Sequence, residues 1–169
     1  MKVSRFRHEF DSRPKLVDIE WAEFTRELTT HDFTHTTKER LPCFSPAEFM
    51  PDAPTKQAKY VLRVHFGVID LDDVTDDEMR RVLEACAGLH QCWYTTWSHP
   101  EAMLKSRMRL RVVVPFSRPV DVREWPGFWP RMVARLGGLC DPKCSNPDRI
   151  YFGPYMPAGS EALAWSMAQ

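Results

Sequence analysis

The chain has 169 residues, 43% of them hydrophobic, so it is long enough for one domain with a substantial apolar core. Lys plus Arg and Asp plus Glu both number 23, and the resulting net charge of zero argues against a uniformly basic nucleic-acid coat protein. The sequence has no apolar run of membrane-spanning length, and its first residues lack the apolar core of a signal peptide. We therefore predict a cytoplasmic protein that has no membrane partner.

The cysteines predict reduced thiols, because their number is odd and no export signal accompanies them. They are Cys43, Cys86, Cys92, Cys140 and Cys144. Cys140 and Cys144 lie four residues apart, and Cys86, His90 and Cys92 form a second group, so a zinc site built from both groups is one interpretation. No CxxC pair is present, and structural cysteines are the preferred interpretation.

The N-terminal third of the chain carries the weakest secondary-structure signal. Apolar residues recur at roughly helical spacing from Ile19 to Leu28, which predicts a helix there. The Thr-rich segment Thr29–Thr37 and the proline-bearing segment Leu41–Pro54 predict ordered loop or an extended arm. Within the second segment, Ser45-Pro46 predicts the start of a helical turn.

Two histidines in this region, His31 and His35, lie four residues apart, which would suit a metal pair on a helix. The surrounding threonines make a helix unfavourable, and solvent-exposed loop histidines are the preferred interpretation.

The middle of the chain predicts three strands and a helix. Tyr60–Leu71 is rich in Val, Ile, Tyr and Phe and is typical of a central strand. Thr75–Glu78 has the pattern of a capping box, and the helix that it opens should end at Gly88. Cys92–Trp97 and Met108–Pro115 predict the second and third strands.

The C-terminal part predicts a second helix and a short last strand. The helix should open near Glu124-Trp125-Pro126, since proline is favoured in a first turn, and end at Gly137-Gly138. Pro130 lies inside this pattern and should kink the helix or delay its start. A turn over Pro142–Pro147 and a strand over Arg149–Phe152 follow.

The order of these elements predicts an α+β fold with mixed or antiparallel sheets flanked by helices. We expect a single structural unit overall. Residues 1–40 should form a helix and an arm that pack on a domain spanning residues 41–169.

Two carboxylates stand at the end of the predicted central strand, in the stretch Phe66-Gly67-Val68-Ile69-Asp70-Leu71-Asp72-Asp73. Because side chains alternate faces along a strand, Asp70 and Asp72 should point to the same side, about 7 Å apart, while Asp73 faces away. Carboxylate oxygens on a rigid element suit Mg²⁺ or Mn²⁺ rather than zinc.

Other polar residues stand at or beyond the ends of predicted elements, namely Ser98-His99 after the second strand and Asp141 in a late loop. A series of basic residues lies nearby in the sequence: Lys105, Arg107, Arg109, Arg111 and Arg118. Strand alternation places Arg109 and Arg111 on one face. Carboxylates that hold two metal ions, together with bases that neutralise a triphosphate, are the residue types that phosphoryl transfer requires.

The ordered set resembles the archaeo-eukaryotic primase (AEP) superfamily, and most closely the primase-polymerase domains of phage and plasmid replication proteins. That family has an hhhDhD/E strand, a later SxH-type strand end and a third acidic residue. Here these are matched by Val68-Ile69-Asp70-Leu71-Asp72, Thr96-Trp97-Ser98-His99-Pro100 and Cys140-Asp141. The match extends over about residues 41–157, and the motifs stand in the family's order.

The resemblance implies an AEP (RRM-like) catalytic core and a polymerase-type site in which Asp70, Asp72 and Asp141 hold two Mg²⁺ or Mn²⁺ ions. It implies a set of nucleotide-phosphate contacts: Ser98, His99, Arg111, Arg109, Lys105 and Arg149. The implied activity is template-directed DNA primase-polymerase, with single-stranded DNA and nucleoside triphosphates as partners. Family members often continue into a helicase module, so a replicative helicase is a further candidate partner.

The match departs from the family's pattern at one point. Ser98 directly precedes His99, whereas one residue usually separates the two, so Thr96 or Trp97 is an alternative for the first position. Asp148 competes with Asp141 for the role of third carboxylate.

Two other functions remain open from the sequence. A metal-dependent nuclease could use the same carboxylates, with His99 as a base. A catalytically silent replication-initiation module would bind single-stranded DNA without chemistry. At the level of single residues, Asp72-Asp73 could simply open a turn, and Arg109 and Arg111 could form a solvated strand face.

Overall fold

The computed structural model describes residues 1–167 and contains two antiparallel sheets and four helices. The strands are β1 (Lys2–Phe6), β2 (Lys15–Asp18), β3 (Cys43–Ser45), β4 (Ala47–Phe49), β5 (Val61–Val74), β6 (Gln91–Thr95), β7 (Met108–Asp121), β8 (Tyr151–Phe152) and β9 (Ala164–Met167). The helices are α1 (Trp21–Thr29), α2 (Asp76–Ala85), α3 (His99–Met103) and α4 (Trp125–Arg135). Short 3₁₀ turns span Ala58–Tyr60 and Pro142–Ser145. The predicted α+β class with antiparallel sheets is confirmed.

The larger sheet has the strand order β4-β5-β7-β6-β9, and the smaller sheet has the order β2-β1-β3-β8. The long strands β5 and β7 form the centre of the larger sheet. One face of β5 carries Phe66, which packs against Phe24 of α1 and Phe44 of β3. Phe44 in turn packs against Tyr151 of β8. An aromatic core therefore joins α1 and the two sheets.

The opposite face of the larger sheet is covered by α2 and α4. A Cβ placed on Gly67 of β5 would lie 2.7 Å from Sδ of Met132 on α4, so the absence of a side chain lets that helix approach the strand. A Cβ placed on Gly137, which follows α4 with a φ of +98°, would lie 3.0 Å from Cα of Val82 on α2. The capping box predicted at Thr75 and Glu78 is present, with both reciprocal hydrogen bonds formed.

Several elements of the N-terminal third differ from the sequence prediction. The helix predicted from Ile19 is confirmed as α1, but strands β1 and β2 had no visible periodicity. The helical turn predicted at Ser45-Pro46 is wrong, because this segment forms β3 and β4 on either side of Pro46. Ser45 Oγ donates to the carbonyl of Arg149, a contact that no local pattern reveals.

Prolines shape the strand β7 and the helix α4 differently from the prediction. β7 continues past Pro115 to Asp121, because the register of its pairing with β5 shifts between Val64 and Phe66 and accommodates the proline there. α4 begins at Trp125 as predicted and runs through Pro130. Strand β9 was not predicted.

The domain boundary proposed at residue 40 falls between β1 and β3, which pair with each other. The position of that boundary stays a prediction. Within residues 1–167, none of the helices has the length and apolar character needed to cross a bilayer.

Candidate active site

An ion pair is buried at the centre of the larger sheet, where Asp70 of β5 lies directly opposite Arg111 of β7. The guanidinium donates from Nε to Oδ1 of Asp70 at 3.1 Å and from Nη2 to Oδ2 at 3.3 Å. Its Nη1 donates to the carbonyl of Phe152 at 2.9 Å. Burial opposes the charge of Arg111, but Asp70 outweighs it and raises the pKa of the guanidinium. Asp70 is thus held in one orientation.

A second acid–arginine group lies two residues further along the same strands, at the solvent edge. Arg109 donates to both carboxylate oxygens of Asp73, at 2.9 and 2.7 Å, and its Nε lies 4.0 Å from Oδ1 of Asp72. Asp73 was expected to face away from this group, and that expectation is wrong. The β5–β7 register shifts between Leu71 and Val74, and Asp73 adopts a φ of +54°, so its side chain turns to Arg109.

The third carboxylate is brought to the first by a long-range backbone contact. The N–H of Asp141 donates to the carbonyl of Asp70 at 2.9 Å. Oδ1 of Asp141 accepts the N–H of Lys143 at 3.0 Å and so caps the 3₁₀ turn, while Oδ2 lies 3.7 Å from Nη2 of Arg149. The loop that follows α4 therefore returns to the end of β5.

The three predicted carboxylates share one open cleft of about 500 Å³. Its polar lining includes Asp70, Asp72, Asp141, Glu78, Arg107 and Lys143. Burial raises the pKa of Asp72, and the negative charges of Asp70 and Asp141 raise it further, against the opposing effect of Arg109 and Arg111. The structure thus concentrates negative charge at this point of the cleft.

The predicted phosphate contacts His99 and Ser98 lie at the start of α3, beyond the end of β6. His99 is buried, and its Nδ1 accepts the backbone N–H of Arg109 at 3.2 Å. Burial and the nearby His31 lower the pKa of His99, which favours the neutral ring. Because Nδ1 accepts a hydrogen bond, the neutral ring carries its proton on Nε2. Lys105 is exposed in the loop after α3. Within the described chain, the cleft wall includes none of Ser98, His99 and Lys105.

His31 is a residue of this region that sequence reasoning missed. It was interpreted as a solvent-exposed loop histidine, and it does lie in a loop, but its side chain is partly buried. Its Nε2 lies 3.1 Å from the carbonyl and 3.2 Å from the hydroxyl of Thr95, and burial lowers its pKa. Its contact partner is 64 residues away in the sequence, so no local signal marks it.

The joint zinc site considered for the two cysteine groups (Cys140 and Cys144, with Cys86, His90 and Cys92) is not formed by the described residues. Among residues 1–167, a single group of three or more potential metal ligands lies within 4.8 Å, and it consists of Asp70, Asp141 and Cys144. Cys86 and Cys92 are buried elsewhere in the core. Cys144 is a second residue that sequence reasoning missed, because it was interpreted as a structural cysteine and lies beside Asp70 and Asp141.

The donor set fits the Mg²⁺ or Mn²⁺ ions expected from the resemblance. Asp70, Asp72 and Asp141 supply oxygen atoms from β5 and from the loop after α4, which a backbone hydrogen bond joins, and hard cations prefer such ligands. Asp70 and Asp141 belong to the compact ligand group, whereas Asp72 lines the same cleft outside that group. A bound cation would offset the repulsion that Asp70 and Asp141 exert on the Asp72 carboxylate.

No protein-family model matches this sequence, and no curated protein matches it. Among solved structures, the fold is similar to the AEP domain of the primase-polymerase (PrimPol) of cyanophage S-2L, with a TM-score of 0.53. The two chains are 16% identical, and the match covers 98% of this chain and 80% of that chain. The likeness confirms the predicted fold class, an α+β core of the AEP type, and at this identity it speaks for the fold alone.

Proposed function

We propose that this protein is a primase-polymerase catalytic domain that performs template-directed, metal-dependent nucleotidyl transfer from nucleoside triphosphates. The observation that carries the proposal is the meeting of Asp70, Asp72 and Asp141 in one cleft. The similarity of the fold to a phage AEP domain supports it at a coarser level.

In the proposed reaction, a 3′-hydroxyl attacks the α-phosphate of the incoming nucleotide and pyrophosphate leaves. Asp70, Asp72 and Asp141 would hold two Mg²⁺ or Mn²⁺ ions. When bound, such ions neutralise charge on the reacting phosphates and lower the pKa of the attacking hydroxyl. Arg111 acts on Asp70 by holding both of its oxygens, so the carboxylate is preorganised before any ligand arrives.

Three of the proposed phosphate contacts, Arg109, Arg111 and Arg149, lie against carboxylates of this cleft. His99 carries its proton on Nε2 and is a hydrogen-bond donor in its neutral form, which suits an anionic oxygen. Arg149 already reaches Asp141, and a neighbouring phosphate would lie within the range of the same guanidinium. The remaining proposed contacts are Ser98, Lys105, Arg109 and Arg111, of which the two arginines bind Asp73 and Asp70 in this structure.

The proposed partners are a single-stranded DNA template and nucleoside triphosphates, with a replicative helicase as a further candidate. We place the reaction in phage- or plasmid-type replication in the cytoplasm. These assignments rest on the sequence resemblance and on the fold of the cyanophage domain.

The proposal is tested by primer extension and primer synthesis with Mg²⁺ or Mn²⁺. The Asp70→Ala/Asp72→Ala variant should lose activity, since two of three metal-binding carboxylates are gone. Because Asp70→Ala leaves buried Arg111 unpaired, the single variant Asp72→Asn is the sharper test. Asp72 is exposed, and the amide keeps its shape, so the domain should remain folded by circular dichroism.

Asp76→Asn/Asp77→Asn is the matched control, because these exposed carboxylates begin α2 and lie outside the cleft wall. The control should retain activity. Full activity in Asp72→Asn would contradict the proposal. Shortening of a labelled strand without nucleotides would identify a nuclease instead, and DNA binding without either reaction would identify a silent module.

A further inference from the structure

Two thiols lie beside the carboxylates of the cleft, which an all-oxygen metal site does not require. Cys144 is 1% exposed, and its Sγ lies with carboxylate oxygens of Asp70 and Asp141 in a group whose atoms are all within 4.8 Å of one another. Cys140 lines the same cleft.

Backbone hydrogen bonds hold this group of side chains in place. The N–H of Cys144 donates to the carbonyl of Asp141 at 2.9 Å within the 3₁₀ turn, and the N–H of Asp141 donates to the carbonyl of Asp70 at the same distance. The turn therefore presents a sulfur and a carboxylate together against the end of β5.

We propose that Asp70, Asp141 and Cys144 form a binding site for a thiophilic divalent cation, Zn²⁺, with the fourth coordination position taken by water. Zinc accepts both thiolate and carboxylate ligands in tetrahedral sites, whereas Mg²⁺ takes oxygen ligands. Zn–S and Zn–O distances of about 2.3 and 2.0–2.2 Å place tetrahedral ligands about 3.3–3.8 Å apart. The group needs to contract by roughly 1 Å to reach that spacing.

The charges around the group are compatible with zinc. On binding, the Cys144 thiol releases its proton to solvent, which leaves one thiolate and two carboxylates around the ion. Arg111 remains on Asp70, since each carboxylate oxygen has a second lone pair for the metal. Zn²⁺ and Arg111 together balance the three negative ligands.

The consequence rests on the proposed function and concerns the regulation of the same site. Zinc bound to Asp70 and Asp141 would occupy two of the three carboxylates proposed for Mg²⁺ or Mn²⁺. Zinc therefore excludes the activating ion from the cleft and inhibits nucleotidyl transfer.

The binding test uses Co²⁺ alone as the probe, because a thiolate ligand gives Co²⁺ a near-ultraviolet charge-transfer band. The wild-type protein should develop this band, and Zn²⁺ should remove it. Cys144→Ser should lose the band and bind Co²⁺ at least about tenfold more weakly. Cys86→Ser, which alters another fully buried cysteine, should retain it. Absence of the band in the wild type, or its survival in Cys144→Ser, would overturn the proposal.

A second measurement does not depend on any variant folding. Zinc X-ray absorption of the wild-type protein should show sulfur at about 2.3 Å, and a shell of oxygen and nitrogen alone would refute the site. Displacement of Mn²⁺ by Zn²⁺, followed by electron paramagnetic resonance, tests the exclusion.

These readouts are independent of catalysis. A protein that binds zinc through sulfur but makes no DNA would overturn the proposed function and leave the zinc site standing. An active protein without thiolate coordination would do the reverse.

Discussion

Two acid–arginine groups lie two residues apart on the same pair of strands, and they differ in almost everything except composition. The side chains of Asp70 and Arg111 are 4% and 12% exposed, while those of Asp72 and Asp73 are 52% and 50% exposed. The inner pair is closed by hydrogen bonds to both carboxylate oxygens and to a backbone carbonyl. The outer group is open to solvent. The depth of an ion pair in the cleft therefore decides how much that pair contributes to folding stability.

The largest expected difference between the two groups is in folding stability. Arg111→Met should reduce the free energy of unfolding by about 3–5 kcal/mol, because it leaves Asp70 buried and unpaired. Arg109→Met should cost about 1 kcal/mol or less, since its partners are exposed. Urea denaturation followed by circular dichroism measures both.

The double variant Asp70→Asn/Arg111→Met is the matching control for the inner pair. Removing both charges should recover much of the lost stability, because Arg111→Met destabilises the fold by leaving the buried Asp70 carboxylate unpaired. Equal losses of unfolding free energy in Arg111→Met and Arg109→Met would show that burial does not make the inner ion pair more important for stability than the outer one.

Ionisation of Asp72 and ionisation of Asp73 should change the free energy of unfolding in opposite directions. Both changes should be smaller than the effect of Arg111→Met. Partial burial of the carboxylate and the charge of Asp70 raise the pKa of Asp72 in the folded protein, so its ionised form opposes folding above that pKa, and this cost disappears as the pH falls. Arg109 lowers the pKa of Asp73, so Asp73 stabilises the fold above its unfolded pKa and loses that contribution in acid.

Without metal and at neutral pH, Asp72→Asn should therefore raise stability by a few tenths of a kcal/mol after allowance for solvent screening. Asp73→Asn should lower it. Both differences should shrink near about pH 3, below the ordinary pKa of aspartate. Denaturation curves at the two pH values measure this, and shifts of the same sign in both variants would contradict the assignment.

The smallest expected effect concerns salt. Raising ionic strength from about 0.1 to 1 M shortens the Debye length from about 10 to 3 Å. The stability cost of Arg109→Met should fall toward zero in high salt, while that of Arg111→Met should persist, since its ion pair is shielded from solvent. A large salt dependence for Arg111→Met would indicate that water reaches the inner pair.

Much of the central fold could be predicted from local sequence. The run of apolar, β-branched and aromatic residues in β5 and the Thr75–Glu78 capping box determine their elements through near neighbours, and the structure has both where they were predicted. Strand alternation also predicts that Asp70 and Asp72 share a face, because it depends on backbone geometry alone.

Other features could not be predicted because they depend on contacts between distant segments. The short strands β1 and β3 become strands by pairing with each other, and their own sequences have no clear period. Asp73 turns to Arg109 only because the β5–β7 register shifts, and a shift of register leaves no mark in either strand taken alone.

Local sequence is sufficient to predict the central strand, the carboxylates at its end and the order in which the other candidate residues follow. Tertiary structure alone decided that Asp141 and Cys144 stand beside Asp70, and that Arg111 is buried against that carboxylate while Arg109 stays at the surface. The physical reason is the range of the interactions. Alternation and capping act over a few residues, whereas burial and ion pairing depend on how sheets and loops 40 or more residues apart close upon one another.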